Sequence, residues 1–528
     1  MNQTHSRDDD SPQIIEYTKP TSFRLLFVSL SLNPKNAHVL ALRSLREQYG
    51  DGMVVDSIVD ELAPRSTDTD VDHILGNTVP AIYGYYATLP QARTSPLPRA
   101  AGDLREDPDF LRQVEAQVSR LKFRSDRSAY GYRPSRRWAT ALLDRQLEYW
   151  ATYLTVNQPT HVIFTSIPHL IGDYVLYRLC RLRGVPTLLL SPEKGGFARP
   201  RGAEVWHRTT RPPSIDYSRF FASTSIEEIG DWKPIAHSTH AAPLQRYTDQ
   251  DQGDQSAVTA SGNLLQSRNR VLEALDSIRD EWRRQPWHAL VIVARSVRST
   301  LQRLLWERHA EWVNPTGRCI VYFLAFQPEE STAPRAGRYL DQIHAVRELS
   351  QQMPSGWTIF VREHPDQSRR RYPRTWGYYR QLREIPGVSL ASLRQDATEA
   401  LENSSVAAAP GGSMAFQAWR ALKPLILFGH IAIKRAPGVF FIERPGDVAS
   451  AIARILRGDR HTAADVTAFE TYLESCALPG DMGSRAYKRR STIQTAAVSI
   501  AGAVSDFITR HPPTHAGGGR GDRGDGRA

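Results

Sequence analysis

Three short segments in the second half of this 528-residue chain carry residue types that could hold a phosphate. In Pro410-Gly411-Gly412-Ser413, the glycines let backbone approach a ligand closely. A helix opening near Ser413 would offer unpaired N–H groups and the positive end of its dipole. An ordinary strand-to-helix turn uses the same residues, so the segment does not decide alone. In Arg362-Glu363-His364-Pro365, the proline biases His364 toward extended backbone. A histidine held there can donate to a phosphate oxygen, charged or neutral. Arg362 would add charge, although strand alternation aims it opposite to Glu363. In Gln327-Pro328-Glu329, the carboxylate could bond a sugar hydroxyl or act as a general base. Acids at that place would equally suit the N-terminus of a following helix.

The first half offers Ile167-Pro168-His169. His169, Asp173 and Tyr177 are spaced i, i+4, i+8, along one face of a helix. His169 would serve as acid or base, with Asp173 orienting it. A helix-capping role competes with this reading. Pro34, Asn36 and His38, and the Glu193-Lys194-Gly195-Gly196 loop, are further candidates if His169 faces a cleft between the two halves of the chain. Asp68-Thr69-Asp70 resembles a metal motif of single-domain glycosyltransferases. No apolar strand leads into it, so it reads as acidic loop.

These residues need strand ends to position them. Phe23 to Leu30 reads as a buried strand, followed by a helix from Val39 to Tyr49. Strand His161 to Ser166, helix Ile171 to Arg183 and strand Thr187 to Leu190 form a βαβ unit, with Gly184 as the helix stop. Further on, strands are expected at Cys319 to Phe326, Trp357 to Val361, Ser405 to Ala409 and Leu425 to Phe428. Helices are expected at Tyr339 to Gln352, Asp396 to Asn403, Ser413 to Leu422 and Val448 to Leu456. Such alternation implies two doubly wound α/β domains, whose ligands bind outside the carboxyl ends of the strands. The expected organisation is a disordered 1–21, an N-terminal Rossmann-like domain over 22–262 and a helical connection over 263–315. A C-terminal Rossmann-like domain over 316–460, helices over 461–512 and a disordered 513–528 complete it.

Composition bounds the class. Lys and Arg number 67 against 56 Asp and Glu, a net +11 that favours an anionic partner. No basic, aromatic-interleaved block marks a nucleic-acid module. Three scattered cysteines give neither a metal spacing nor a disulfide framework, which points to a reducing cytoplasm. The first twenty residues lack the apolar stretch of a secretory signal, and no apolar run approaches the ~20 residues that span a bilayer.

The span from Tyr322 to Thr332, with Asp341-Gln342, Gly356-Trp357 and Val361 to Pro365, resembles bacterial capsule and surface-polysaccharide biosynthesis proteins. That group is similar to Kdo-transferase-like and sialyltransferase-like enzymes of the GT-B fold. The resemblance covers roughly 321–429, and Ile167-Pro168-His169 with Asp173-Tyr174 looks like the N-terminal pattern of these proteins. It implies two Rossmann-like domains facing a cleft, and a nucleotide-sugar donor in the C-terminal one. His364 and Ser413 would contact its phosphate, CMP-activated acidic sugars such as Kdo being the donor type. The chain departs from the pattern at three places. Arg362 stands for the usual lysine, Gln417 for an acid, and Leu324-Ala325-Phe326 lacks a histidine.

The expectation is therefore a metal-independent GT-B glycosyltransferase of surface glycan assembly. Its donor site would comprise Arg362, His364, Gly411, Gly412, Ser413 and Gln417, and its catalytic groups Glu329, His169 and Asp173. It would need no cofactor beyond the nucleotide-sugar substrate, and would act on a glycan or lipid-linked acceptor. The basic surplus would suit peripheral contact with the anionic inner face of a membrane. A CDP-polyol phosphotransferase, a GT-B-fold sugar epimerase and a non-catalytic glycan- or nucleotide-binding protein remain alternatives.

Overall fold

The computed structural model describes residues 23–30, 37–59, 71–77, 99–123, 136–191, 219–235, 286–314, 318–327, 330–369, 374–375, 377–480 and 490–512. Two seven-stranded sheets organise them. The first contains β1 (Phe23–Leu30), β2 (Met53–Val59), β3 (His73–Asn77), β4 (His161–Phe164), β5 (Thr187–Ser191) and β6 (Arg219–Ser223). The second contains β7 (Ala310–Glu311), β8 (Cys319–Phe323), β9 (Thr358–Arg362), β10 (Val388–Ala391), β11 (Val406–Ala409), β12 (Leu425–Leu427) and β13 (Val439–Phe441). A last strand, β14 (Leu478–Pro479), returns to the first sheet.

The strand orders are β14-β6-β5-β4-β1-β2-β3 and β13-β12-β11-β8-β9-β10-β7. Within each domain the order is that of a doubly wound dinucleotide-binding sheet, reversing beside the first strand. All pairings in the second sheet are parallel. In the first, β6 and β14 are antiparallel additions at one edge. The central strands are buried on both faces, which explains their unbroken apolar runs such as Cys-Ile-Val-Tyr-Phe in β8. The chain is thus two Rossmann-like α/β domains.

Helix boundaries follow local chemistry. Gly184 takes the left-handed conformation (φ 68°) that ends the helix Ile171–Arg183. Asp341 and Asp396 cap the helices Gln342–Gln352 and Ala397–Glu402, each accepting from a backbone N–H.

Two segments depart from the expected organisation. The helix Pro286–His309, placed by the sequence in a connection, packs into the second domain: Trp306 is buried in that core, and the helix runs straight into β7. The C-terminal helices divide between the domains. Ala463–Cys476 packs on Ser413–Arg420 in the second domain. Arg490–Arg510 crosses back and packs along Ala37–Tyr49, placing Ile493, Ile500, Val504 and Phe507 in the first core. That return stitches the domains together, because residues near both ends of the chain share one core.

Candidate functional site

The reversal of strand order in the second sheet lies between β8 and β11, and in the first between β1 and β4. Strands diverge there and leave a crevice at their carboxyl ends. Gly411-Gly412-Ser413 follows β11, and His169 follows β4, so both stand at switch points.

The turn after β11 needs its glycines. Gly411 and Gly412 have φ values of 153° and 80°, and a Cβ on Gly411 would sit 3.1 Å from Ile431 Cγ2. Gly412 is the N-cap of the helix Ser413–Arg420 and gives it no side-chain hydrogen bond. Gly412 and Ser413 are exposed, so this N-terminus faces solvent with its dipole. Gln417 lies one turn further along, partly buried. A Cβ on Gly429, after β12, would meet Pro410 O at 2.1 Å, so that approach of two strand ends requires glycine.

His364 follows β9. Since β8 separates β9 from β11, His364 and the glycine turn flank one strand, about 10 Å apart at the strand level. His364 Nδ1 accepts from Asp366 N (3.1 Å). A backbone N–H can only donate, so the neutral ring carries its proton on Nε2. Its ring packs at 5.8 Å from Phe326. His169 is the opposite case. Its Nδ1 lies 2.7 Å from Ile167 O, which can only accept, so the lone pair of the neutral ring is on Nε2. One histidine is thus tuned as a donor, the other as an acceptor.

Other expected residues sit elsewhere. Arg362 is turned away from the rim: it is buried and donates to Ser392 O (2.7 Å) and Gln395 O (2.8 Å). Its guanidinium reaches the carbonyls that follow β10, so it holds the end of that strand instead of a ligand. His169 precedes the first turn of Ile171–Arg183, so it does not share a helix face with Asp173 and Tyr177. Asp173 is buried in that first turn. Tyr177 donates to Glu227 (3.3 Å) and accepts from Ile226 N (3.1 Å). Glu329, Pro34, Asn36, Asp68 to Asp70 and the 193–196 loop lie outside the described residues.

Sequence reasoning missed the residues that hold the rim in place. Glu363 and Arg374 form a buried pair, with Arg374 Nη2 2.6 Å and Nε 2.8 Å from the carboxylate. Arg374 also donates to Gln327 Oε1 (2.6 Å) and Ala325 O (3.0 Å), so it ties β8 to β9. Glu363 Oε1 in turn accepts from His364 N (2.7 Å). The Glu of Glu-His-Pro and the Gln of Gln-Pro-Glu are therefore positioning residues. Arg374 lies ten residues past His364, in no motif, and carries no sequence signal.

The two rims meet. Arg335 donates to Ser191 Oγ (3.0 Å), the last residue of β5, and pairs with Glu330 (2.6 Å). Lys434 pairs with Asp231 (2.5 Å), and Gly230 packs against Ile431 so closely that a Cβ would meet its carbonyl at 2.5 Å. Apolar residues fill the space around these bonds, Ile229 and Trp232 joining the same buried cluster as Ile431 and Leu473.

No protein-family profile and no curated protein matches the chain. Among solved structures, the chain is similar to a beta Kdo 2,7 transferase, KpsC, of Thermosulfurimonas dismutans: 12% identity over 35% of this chain and 66% of that one, TM-score 0.20. It is also similar to the UDP-GlcNAc 2-epimerase of Methanocaldococcus jannaschii (9% identity, 86% and 99% covered, TM-score 0.23). A third is the spinosyn rhamnosyltransferase SpnG (14%, 86% and 97%, TM-score 0.23). At such identities and scores the fold rests on the strand orders of the chain itself. They are those of a GT-B protein: two Rossmann-like sheets with apposed carboxyl rims.

Two histidines give the molecule an acid-sensitive stability. Burial pushes His38 down to about 4. Burial, then the charges of Lys434 and Arg335, push His430 to about 4, against the opposing pull of Glu227 and Asp231. Both folded values lie below the unfolded 6.5, so the unfolded chain binds more protons between those limits. Stability is then complete above pH 6.5 and falls as pH drops toward 4. The expected loss between pH 7 and 5 is on the order of 2 kcal/mol per histidine. Urea midpoints at the two pH values check this, and His430→Asn should shrink the difference. An unchanged pH dependence in that variant would remove His430 from the account.

Proposed function

We propose that the protein is a glycosyltransferase that takes a sugar from a nucleotide donor held on the second domain's rim. The supporting observation is that His364 and the glycine-capped start of Ser413–Arg420 flank β8 on one carboxyl rim. The opposing rim of the first domain presents His169 at its own switch point.

In this reading the donor phosphate sits at the N–H groups of Gly412 and Ser413, with His364 Nε2–H donating to it, and Gln417 bonds the ribose. The acceptor hydroxyl attacks the anomeric carbon as His169 Nε2 takes its proton, the ring being held through Nδ1 by Ile167 O. The bond from that carbon to the phosphate oxygen breaks, and the nucleotide leaves carrying the negative charge. Preorganised N–H groups and a helix dipole stabilise such a charge without a metal ion. Glu329 completes the reading as a ribose or catalytic carboxylate. The donor class is a CMP-activated acidic sugar and the setting is surface glycan assembly at the cytoplasmic membrane face. That choice rests on the resemblance of the Gln-Pro-Glu and Glu-His-Pro segments.

The test is donor turnover by the purified protein, with mass spectrometry of the products. Transfer of sugar with release of CMP supports the reading. Release of CMP with polyol-phosphate transfer, an isomerised nucleotide sugar, or no turnover with any donor would each replace it.

A further inference from the structure

The helix Pro286–His309 has two faces of opposite use. Ser299, Gln302 and Trp306 are buried against the second domain. Turned away from them, at i, i+4, i+8, i+11 and i+12, are Val293, Val297, Leu301, Leu304 and Leu305, which are 38–62% exposed. Trp312, just beyond, is 50% exposed. These six are among the fourteen large apolar side chains exposed in the described residues, so the exposure is concentrated in one place.

The surroundings are basic. Exposed Arg303 and Arg308 stand on the helix itself, and exposed Arg383 and Arg394 on neighbouring segments. Of the nearby acids, Glu307 is bound by Ser392, Leu393 N and Arg394, and Glu384 pairs with Arg380. Glu311 is exposed beside Trp312.

We propose that this face docks on an anionic lipid bilayer. An apolar stripe bordered by arginines, lying along one helix, matches an acyl boundary topped by negative head groups. No described helix is long and apolar enough to cross a membrane, so the contact is one of surface. A second copy of the chain fits less well, because a two-fold pairing of this face would set arginines against arginines. The location gives the contact a use. Trp306 Nε1 donates to Ala391 O (2.9 Å) at the end of β10, and Ser299, Gln302 and Trp306 line a small cavity with Glu363 and Leu393. The stripe therefore lies on the outer side of the helix that covers the carboxyl ends of β9 and β10, next to His364. Resting on the transferase reading, this places a lipid-linked acceptor within the reach of the rim.

The full chain tests it without reference to turnover. Cys180, Cys319 and Cys476 are buried, so a Leu304→Cys variant takes an environment-sensitive fluorophore selectively. The emission should shift to the blue with phosphatidylcholine vesicles containing phosphatidylglycerol and stay unshifted with phosphatidylcholine alone. Unlabelled protein should float with the anionic vesicles and release as salt rises. Arg303→Glu/Arg308→Glu should weaken partitioning roughly tenfold or more. Leu301→Gln/Leu304→Gln/Leu305→Gln should abolish it with an unchanged melting curve. Failure of the wild type to float would overturn the proposal. So would a wild-type dimer that ignores vesicles and that the triple variant converts to a monomer. Flotation by a protein that turns over no donor would retain the docking surface and discard the transferase.

Discussion

Replacing Arg374 by alanine should cost the second domain about 3–5 kcal/mol. Its side chain and that of Glu363 are each 3% exposed, so the alanine variant leaves a carboxylate buried without its cation. Tyr379 Oη (2.8 Å) and His364 N (2.7 Å) still donate to that carboxylate, but neither brings positive charge. Two further bonds of its guanidinium disappear with it, those to Gln327 Oε1 and Ala325 O. The measurement is the unfolding transition of the second domain, which should fall by roughly 10 °C. Tyr379→Phe provides the scale of a single bond, about 1 kcal/mol. Glu363→Gln/Arg374→Met, which removes both charges, should recover part of the loss. An Arg374→Ala loss no larger than that of Tyr379→Phe would mean that the pair is not desolvated as described.

Strands β1, β4, β5, β8, β9, β11 and β12 were legible because burial on two faces leaves unbroken apolar runs, and several helix ends because caps sit where chemistry requires them, whereas β2, β3, β6, β10 and β13 were not read. Asp341, Asp396 and Gly184 are such markers. The switch-point turn Gly411-Gly412 was legible for the same reason: its positive φ values admit little else. Short edge strands were not. β7 and β14 are two residues each and exist through pairing with distant partners, which no local pattern records. The crossing of Arg490–Arg510 back to the first domain was hidden likewise, since an amphipathic helix does not name the surface it covers. At the site, type and position misled at His169, which precedes the helix that carries Asp173, and at Arg362. An arginine beside Glu-His-Pro invites a phosphate, yet the guanidinium of Arg362 is taken up by Ser392 O and Gln395 O. The pair Arg374–Glu363 was invisible because a loop residue acquires its meaning only from the fold around it.

The histidines should separate binding from chemistry. At a hundredfold excess over Kd, CMP should protect the wild type by about 2.7 kcal/mol, and more than CDP, UDP or GDP. If the donor phosphate is held as proposed, His364→Ala removes an N–H donated to a charged oxygen, a bond of about 1.5–3 kcal/mol, so CMP affinity should fall roughly 10- to 150-fold. The protection at the same nucleotide concentration then shrinks to a few tenths of that value. His364→Gln keeps a donor of similar reach and should recover part of it. His169→Ala, on the opposing rim, should leave protection intact while turnover falls about 10²- to 10⁴-fold. The opposite tautomers underlie this division: Asp366 N fixes the proton of His364 on Nε2, and Ile167 O leaves the lone pair of His169 there. Full CMP protection in His364→Ala would take the phosphate away from this rim. Lost protection in His169→Ala would mean that the two rims do not divide donor from acceptor.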